Sequence, residues 1–314
     1  LGDAARTQTM MLRDLLAGAT AVVRGSDAID VGHMAIHSRE VTAASAFVAV
    51  HGVALDGHDF LPEAAARGAA ALIVEDEARV PVAFAGTVVV VPNARAALNH
   101  VASRFFGDPG RDLFCVGITG TDGKSTVAWM TEAVLAACGV PTGVVGTVDH
   151  HFAGHTWPGD TTPPALALQE RLAQMRELGA RAVALEVTSQ GLSQSRVGSV
   201  PFDVAVFTNL AREHLDYHDT LEAYFSAKER LFTEALAASD KTPCHAIINI
   251  DTPYGARIAV PAHATRMTYG RRGVGADLEY EVIDAGLSES VVRLNRSGER
   301  AELRLPMLGG FNGA

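Results

Sequence analysis

Gly120-Thr121-Asp122-Gly123-Lys124-Ser125-Thr126 is the stretch of this chain whose residue types could hold a phosphate. Glycines at 117, 120 and 123 let backbone N–H groups close around phosphate oxygens. A helix starting at Lys124 would aim the positive end of its dipole at the same place. Lys124 would add a point charge to the terminal phosphates, and the Ser125 hydroxyl is placed to ligate Mg²⁺. Ile118 stands in the first glycine slot of the G-x-x-x-x-G-K-[ST] pattern, so the loop is shorter and glycine-poorer than the usual phosphate loop. An ordinary strand-to-helix turn is the plainer reading. Gly-Lys-Ser-Thr on such a junction makes an ATP site the stronger one.

Other candidates stand at the ends of apolar runs. Glu186 closes the run Ala182–Val187, where an unpaired carboxylate is costly to bury. A Mg²⁺ shared with the nucleotide would take it as a hard oxygen ligand, and an arginine partner would serve equally well. Ser189 follows in a polar loop, then Gln194 and Arg196, whose guanidinium suits a carboxylate or phosphate. His214 and His218 have the i,i+4 spacing of one helix face, although a pair of loop histidines is more often structural. Lys228 lies in a predicted helix over 221–236, where a lone lysine is ordinarily a solvated charge. Asn249 and Asp251 end a further apolar run. His150, His151 and His155 lie in a predicted hairpin without metal-ligand regularity. Ser38-Arg39 and Val50-His51-Gly52 could form a polar lip, and Asp56–Phe60 reads as a solvated Asp-Gly turn.

The elements that must position these residues suit two domains, since 314 residues exceed the usual single domain of ~150. A hydrophobic content of 48% with 20% charged residues describes a globular chain with large cores. The net charge of -10 argues against nucleic acid or anionic lipid as bulk partners, so an anionic substrate would need local basic residues. Cys115, Cys138 and Cys244 have neither zinc nor disulfide spacing and read as buried small side chains. No apolar run suits a membrane span and no signal peptide is evident, which predicts a cytoplasmic protein without membrane insertion, expected as a monomer.

Short apolar runs and helical patterns over 11–108 predict a small N-terminal α/β domain, with residues 1–10 as a possible extension. Gly107-Asp108-Pro109-Gly110 marks the boundary. Over 109–306, strand, helix and strand recur, predicting a P-loop-type, mostly parallel sheet with helices on both faces. Ligands of such sheets bind beyond the carboxyl ends of the strands.

GTDGKST, Asp160-Thr161-Thr162-Pro163, EVTSQGLSQSR (186–196), FTNLAREHLDYH (207–218), AKERLF (227–232) and IINIDT (247–252) occur in this order. That succession resembles the Mur ligase family, the ATP-dependent amino-acid ligases of peptidoglycan precursor synthesis. HLDYH, the Thr-Thr-Pro segment and the N-terminal SR…DGHDF elements resemble the members that join a diamino acid to UDP-N-acetylmuramoyl-L-alanyl-D-glutamate. The resemblance implies that residues 120–126 hold ATP and that Asn249 approaches the adenine. It implies Ser125, Glu186 and His214 as Mg²⁺ ligands, and Lys124, Lys228 and His214 as catalytic. Lys228 matches a lysine carbamylated in the family. Thr161, Thr162, Ser189, Gln194 and Arg196 would hold the muramoyl-dipeptide, with Ser38 and His51 at the uridine diphosphate. The implied reaction activates the D-Glu side chain as an acyl phosphate, which the diamino acid's amine then attacks.

Three positions depart from the family pattern: Asp122 replaces an asparagine, Gln190 a histidine, and His37 an aspartate. LPMLGGFN (305–312) resembles the family's hinge into a third domain, and the chain ends at Ala314. The expectation is therefore a ligase lacking that domain, with 307–314 as the hinge. The alternatives are a non-catalytic nucleotide- or precursor-binding paralogue and, less favoured, a folylpolyglutamate-synthase-like ligase.

Overall fold

Two compact units divide the chain: the first takes residues up to Pro109 with Pro164–Ala173 and Gln194–Ser199, the second the rest. The computed structural model describes residues 9–52, 55–213, 215–286 and 289–306.

In the first unit a five-stranded sheet runs in the order Val22–Arg24, Thr87–Val90, Ala71–Val74, Ser45–Val48, His33–Ala35. Val22–Arg24 pairs antiparallel and the other neighbours pair parallel. Alternate side chains of the central strands feed two cores, as the twofold period of a strand requires. Ala46, Val48 and Ile73 pack with Val101 and Phe105 of helix Ala94–Phe105. Phe47 and Leu72 pack with Leu61 and Ala64 of helix Leu61–Ala66. Asn93 caps the longer helix, its side chain accepting from Ala96 N at 2.9 Å.

The second unit is built on an eleven-stranded sheet. From Thr142–Val145 the order is Ala182–Glu186, Phe114–Thr119, Val204–Phe207, Cys244–Asn249, Ala264–Arg271 and Leu278–Ala285, with every neighbour parallel. The predicted hairpin, His150–Phe152 with His155–Trp157, joins one edge antiparallel. Ser290–Arg296 and Glu299–Leu305 add an antiparallel ribbon at the other. The register decides where the chemistry lies. Glu186 pairs with Ile118 and Phe207 pairs with Thr119, so three strands deliver their following loops to one end of the sheet.

The α/β class and mostly parallel sheet match the sequence reading, while three details differ. Residues 264–305 form four strands that no apolar run announced, because few of their residues are fully buried and polar residues interrupt the apolar ones. The helix predicted over 221–236 is α-helical only for Leu221–Arg230 and continues as a π-helical turn over Leu231–Leu236. Cys115 and Cys244 are buried, but Cys138 is exposed, because it follows the last residue of a surface helix. Among the described residues no helix is long and apolar enough to cross a membrane.

Candidate functional site

The loop after Phe114–Thr119 is shaped by backbone rather than by side chains. Gly120 has φ 151° and Gly123 has φ 80°, both in the region that favours glycine. A Cβ at Gly120 would stand 1.9 Å from Thr208 Oγ1. The loop is held by the next strand end. Thr208 Oγ1 and Asn209 Nδ2 donate to Asp122 O at 2.6 and 3.2 Å, and Asp122 N donates to Asn209 Oδ1 at 3.0 Å. Thr121 Oγ1 accepts from Ala211 N at 2.9 Å. Asp122 therefore serves the loop through its backbone, and its exposed carboxylate lies outside these bonds. Helix Lys124–Ala137 begins at Gly123 with no side-chain cap, which leaves its first N–H groups and its dipole to an anion. The Ser125 and Thr126 hydroxyls bond to nothing among the described residues.

Two lysines converge on this loop. Lys124 Nζ donates to Gly120 O at 3.0 Å and Thr121 O at 2.7 Å, and Lys228 Nζ donates to Gly120 O at 2.7 Å. Lys228 is only 1% exposed, with its ammonium 4.4 Å from the centre of the Tyr224 ring. The sequence suggested a solvated helix lysine; packing on the loop makes it a buried one. Burial and then the Lys124 charge push its pKa well below the usual lysine value, against the pull of Glu213 and Asp122. Burial also lowers Lys124, opposed by Glu186, Glu213 and Asp122.

Glu186 is fully buried at the end of Ala182–Glu186. Its Oε1 accepts from Thr147 N and its Oε2 from Thr147 Oγ1, each at 3.0 Å. No arginine pairs with it among the described residues, which removes the arginine alternative. A carboxylate can accept about four hydrogen bonds, so acceptor capacity remains for a cation. Thr147 Oγ1 also meets Thr161 Oγ1 at 3.1 Å. Thr162 Oγ1 donates to Glu186 O at 2.9 Å and accepts from Thr188 N at 2.9 Å. Ser189 Oγ lies 2.9 Å from His218 Nε2, whose ring is 5.3 Å from that of Tyr224.

Asn249 stands three strands along the sheet from Glu186, its amide oriented by Asp251: Nδ2 donates to Asp251 Oδ2 at 3.2 Å, and Oδ1 accepts from Asp251 N at 3.0 Å. Tyr280 Oη holds the same carboxylate at 2.7 Å. His214, expected as a metal ligand, lies outside the described residues.

The first unit carries its own cavity of about 690 Å³. Ser38, Arg39, Arg95, Gln194 and Arg196 give it a polar, cationic side, and Val50, Phe60 and Leu98 an apolar one. Ser38 Oγ donates to Glu63 Oε2 at 2.7 Å. Arg196 places Nε and Nη2 on Gln194 Oε1 at 3.1 and 3.0 Å. Thus Gln194 and Arg196 belong with Ser38 rather than with the second unit. His51 does not line the cavity with its side chain: Nδ1 lies 3.2 Å from Asp56 Oδ1, and its carbonyl accepts from Arg95.

His51, Asp56 and His58 converge closely enough to suggest a metal. The hydrogen bonds refuse one. His58 Nε2 accepts from Glu75 N at 3.0 Å, so Nδ1 carries the proton and donates to Asp56 Oδ1 at 2.8 Å. Burial raises the Asp56 carboxyl, but His58 and Arg79 outweigh it and hold its pKa well below the usual range. The predicted solvated turn is a structural clasp. Thr147, Thr208, Asn209 and Tyr224 were missed in the sequence; only the rule that polar residues after parallel strands face the ligand pointed toward the first three.

The Mur ligase middle domain family matches residues 118–314, and the family described as Mur ligase, catalytic domain, matches 30–106. The UDP-N-acetylmuramoyl-L-alanyl-D-glutamate–2,6-diaminopimelate ligase of Geobacter metallireducens is 45% identical over 248 residues, 78% of this chain and 48% of that protein. A UDP-N-acetylmuramyl-tripeptide synthetase of Roseiflexus sp. is 39% identical over 298 residues, 90% of this chain and 58% of its own length. A solved UDP-N-acetylmuramoyl-L-alanyl-D-glutamate–2,6-diaminopimelate ligase superposes with a TM-score of 0.81 at 27% identity, over 97% of this chain and 61% of that one. The chain thus spans about half to three-fifths of the length of these relatives. With both family matches and this ordered set of strand-end residues, the chain belongs to the Mur ligase family.

Proposed function

We propose that this chain carries the ATP- and precursor-binding parts of an amide ligase that adds a diamino acid to UDP-N-acetylmuramoyl-L-alanyl-D-glutamate. One observation carries the reading. The uncapped helix N-terminus at Gly123–Lys124 and the buried Glu186 carboxylate, without an arginine, stand at the same end of one parallel sheet. The names of the relatives favour a muramoyl precursor over a folate.

In this reading the N–H groups from Gly120 to Thr126 cradle the ATP phosphates, and Lys124 exchanges loop carbonyls for phosphate oxygens. Ser125, Glu186 and His214 would hold Mg²⁺, which supplies neutralisation of phosphate charge. Asn249, its amide set by Asp251, approaches the adenine. Thr161, Thr162 and Ser189 orient the dipeptide, and the first-unit cavity takes the uridine diphosphate between its arginines and its apolar side. The D-Glu carboxylate is phosphorylated, ADP leaves, and the diamino acid's amine displaces phosphate to form the amide. The protein's contribution is positioning and charge cancellation. Burial favours the neutral amine of Lys228, whose lone pair could add to CO₂; carbamylation would form an N–C bond, release one proton and turn the neutral amine into an anion. Dependence on ATP implies a cytoplasmic setting.

The test incubates the chain with ATP, Mg²⁺, the UDP-muramoyl-dipeptide and a panel of diamino acids, and follows ADP. Release with one diamino acid is the expected result. Nucleotide binding without ADP release from any of them would overturn the ligase reading for this chain and leave a binding protein.

A further inference from the structure

Both carboxylate oxygens of Glu186 are held by one residue, Thr147, through its backbone N–H and its hydroxyl. The backbone here is as close as it can come: a Cβ at Gly146 would stand 2.1 Å from Glu186 Oε1. The Thr147 hydroxyl has a single hydrogen and donates it to Oε2. The contact between Thr147 Oγ1 and Thr161 Oγ1 at 3.1 Å then has one possible direction, with Thr161 donating. Thr161, Thr147 and Glu186 form a one-way chain of hydrogen bonds. Glu186 is fully buried, whereas Thr147 is exposed, so the outer end of the chain meets whatever enters the site.

We propose that Thr147 is a positioning residue: it locks the Glu186 carboxylate in the orientation that receives a divalent cation and couples it to precursor bound at Thr161. The proposal rests on the nucleotide and precursor sites of the preceding section. Two physical consequences follow. Without the hydroxyl, Oε2 loses its donor inside a buried site, and the carboxylate loses the bond that fixes its orientation. A precursor that takes up the Thr161 hydroxyl changes the polarisation of the Thr147 hydroxyl, and so the donor strength felt at Oε2.

The experiment titrates Mg²⁺ against the full chain and a non-hydrolysable ATP analogue, with and without the UDP-muramoyl-dipeptide, and reads the Mg²⁺ midpoint for analogue binding. Thr147→Val keeps the shape and the backbone donor; it should raise the midpoint by about 10- to 100-fold, the usual effect of losing a group that orients a metal ligand. Metal-free analogue binding should be unchanged, which shows that the fold is intact. Thr147→Ser restores the hydroxyl and should return the midpoint to within about threefold of wild type. Thr161→Val, one link further out, should abolish the effect of the precursor on the midpoint.

A Thr147→Val midpoint equal to wild type, or a Thr147→Ser midpoint as poor as that of the valine variant, overturns the proposal. If the valine variant does not fold, a precursor effect that survives in Thr161→Val overturns it instead. A wild-type chain that binds no analogue at any Mg²⁺ concentration overturns the nucleotide site itself, and the proposal with it.

Discussion

In the proposed function, the glycine loop of the second unit and the cavity of the first are two ways of building an anion site. The loop is seven consecutive residues, 120–126, whose donors are backbone N–H groups and whose shape comes from two glycines at positive φ. The cavity draws Ser38, Phe60, Arg95 and Arg196 from separate segments, and its charge comes from guanidinium groups on long side chains. The loop is stiff because a strand end clamps it. In the cavity Arg196 rests on Gln194, so it would have to be re-aimed to meet a ligand. A site made of backbone tolerates almost no substitution at its glycines, while a site made of side chains should lose affinity in steps.

Gly120→Ala should have the largest effect. The added methyl meets Thr208 Oγ1 and forces a residue with a side chain to φ 151°. A loss of about 1–3 kcal/mol of stability is expected, read by thermal melting, together with loss of nucleotide binding. A fully active Gly120→Ala protein would mean that the loop is not backbone-determined. Lys124→Ala removes one charge-assisted contact and leaves the cradle. It should weaken ATP binding by about 1.5–3 kcal/mol, or roughly 10- to 150-fold, without moving the melting temperature much. Calorimetric titration checks this.

In the cavity, Arg196→Ala should weaken uridine diphosphate binding by about 1–1.5 kcal/mol and leave ATP affinity unchanged. A fall in both affinities would erase the distinction between the two sites. The smallest effect is one of pH. Lys228 has a folded-state pKa below its unfolded value of 10.5. The unfolded chain therefore binds the extra proton, and the stability linked to this group is fully present above 10.5 and is lost as pH falls through the folded pKa. Melting temperatures measured upward from neutral pH should rise relative to those of Lys228→Met, whose curve lacks this component. Parallel curves for the two proteins would contradict the burial of an unmodified amine.

Much of the second unit was legible, because its chemistry follows strands that are continuous apolar runs. Glu186 stood out as a carboxylate with no right to be buried, and the structure keeps it buried with acceptor capacity to spare. Thr147, Thr208 and Asn209 did not stand out, since a threonine or asparagine after a strand looks like any turn residue until a neighbouring strand brings it a partner. Lys228 was read as a surface charge for the same reason: a helix pattern places a lysine on a face but does not say what covers that face. The strands over 264–305 are not announced in the sequence, because polar residues interrupt their apolar ones and few are fully buried.

Taken alone, the sequence determined the glycine turn between a strand and a helix, the α/β class and the order of strand-end motifs, because these depend on local backbone chemistry and on periodicity within a few residues. The tertiary structure decided the partners: that Lys124 and Lys228 share the Gly120 carbonyl, that Thr147 holds Glu186, and that Gln194 and Arg196 join Ser38 in the first unit. Those pairings are set by strand register and by packing between residues far apart in the chain, and register is a property of two strands that neither one carries by itself.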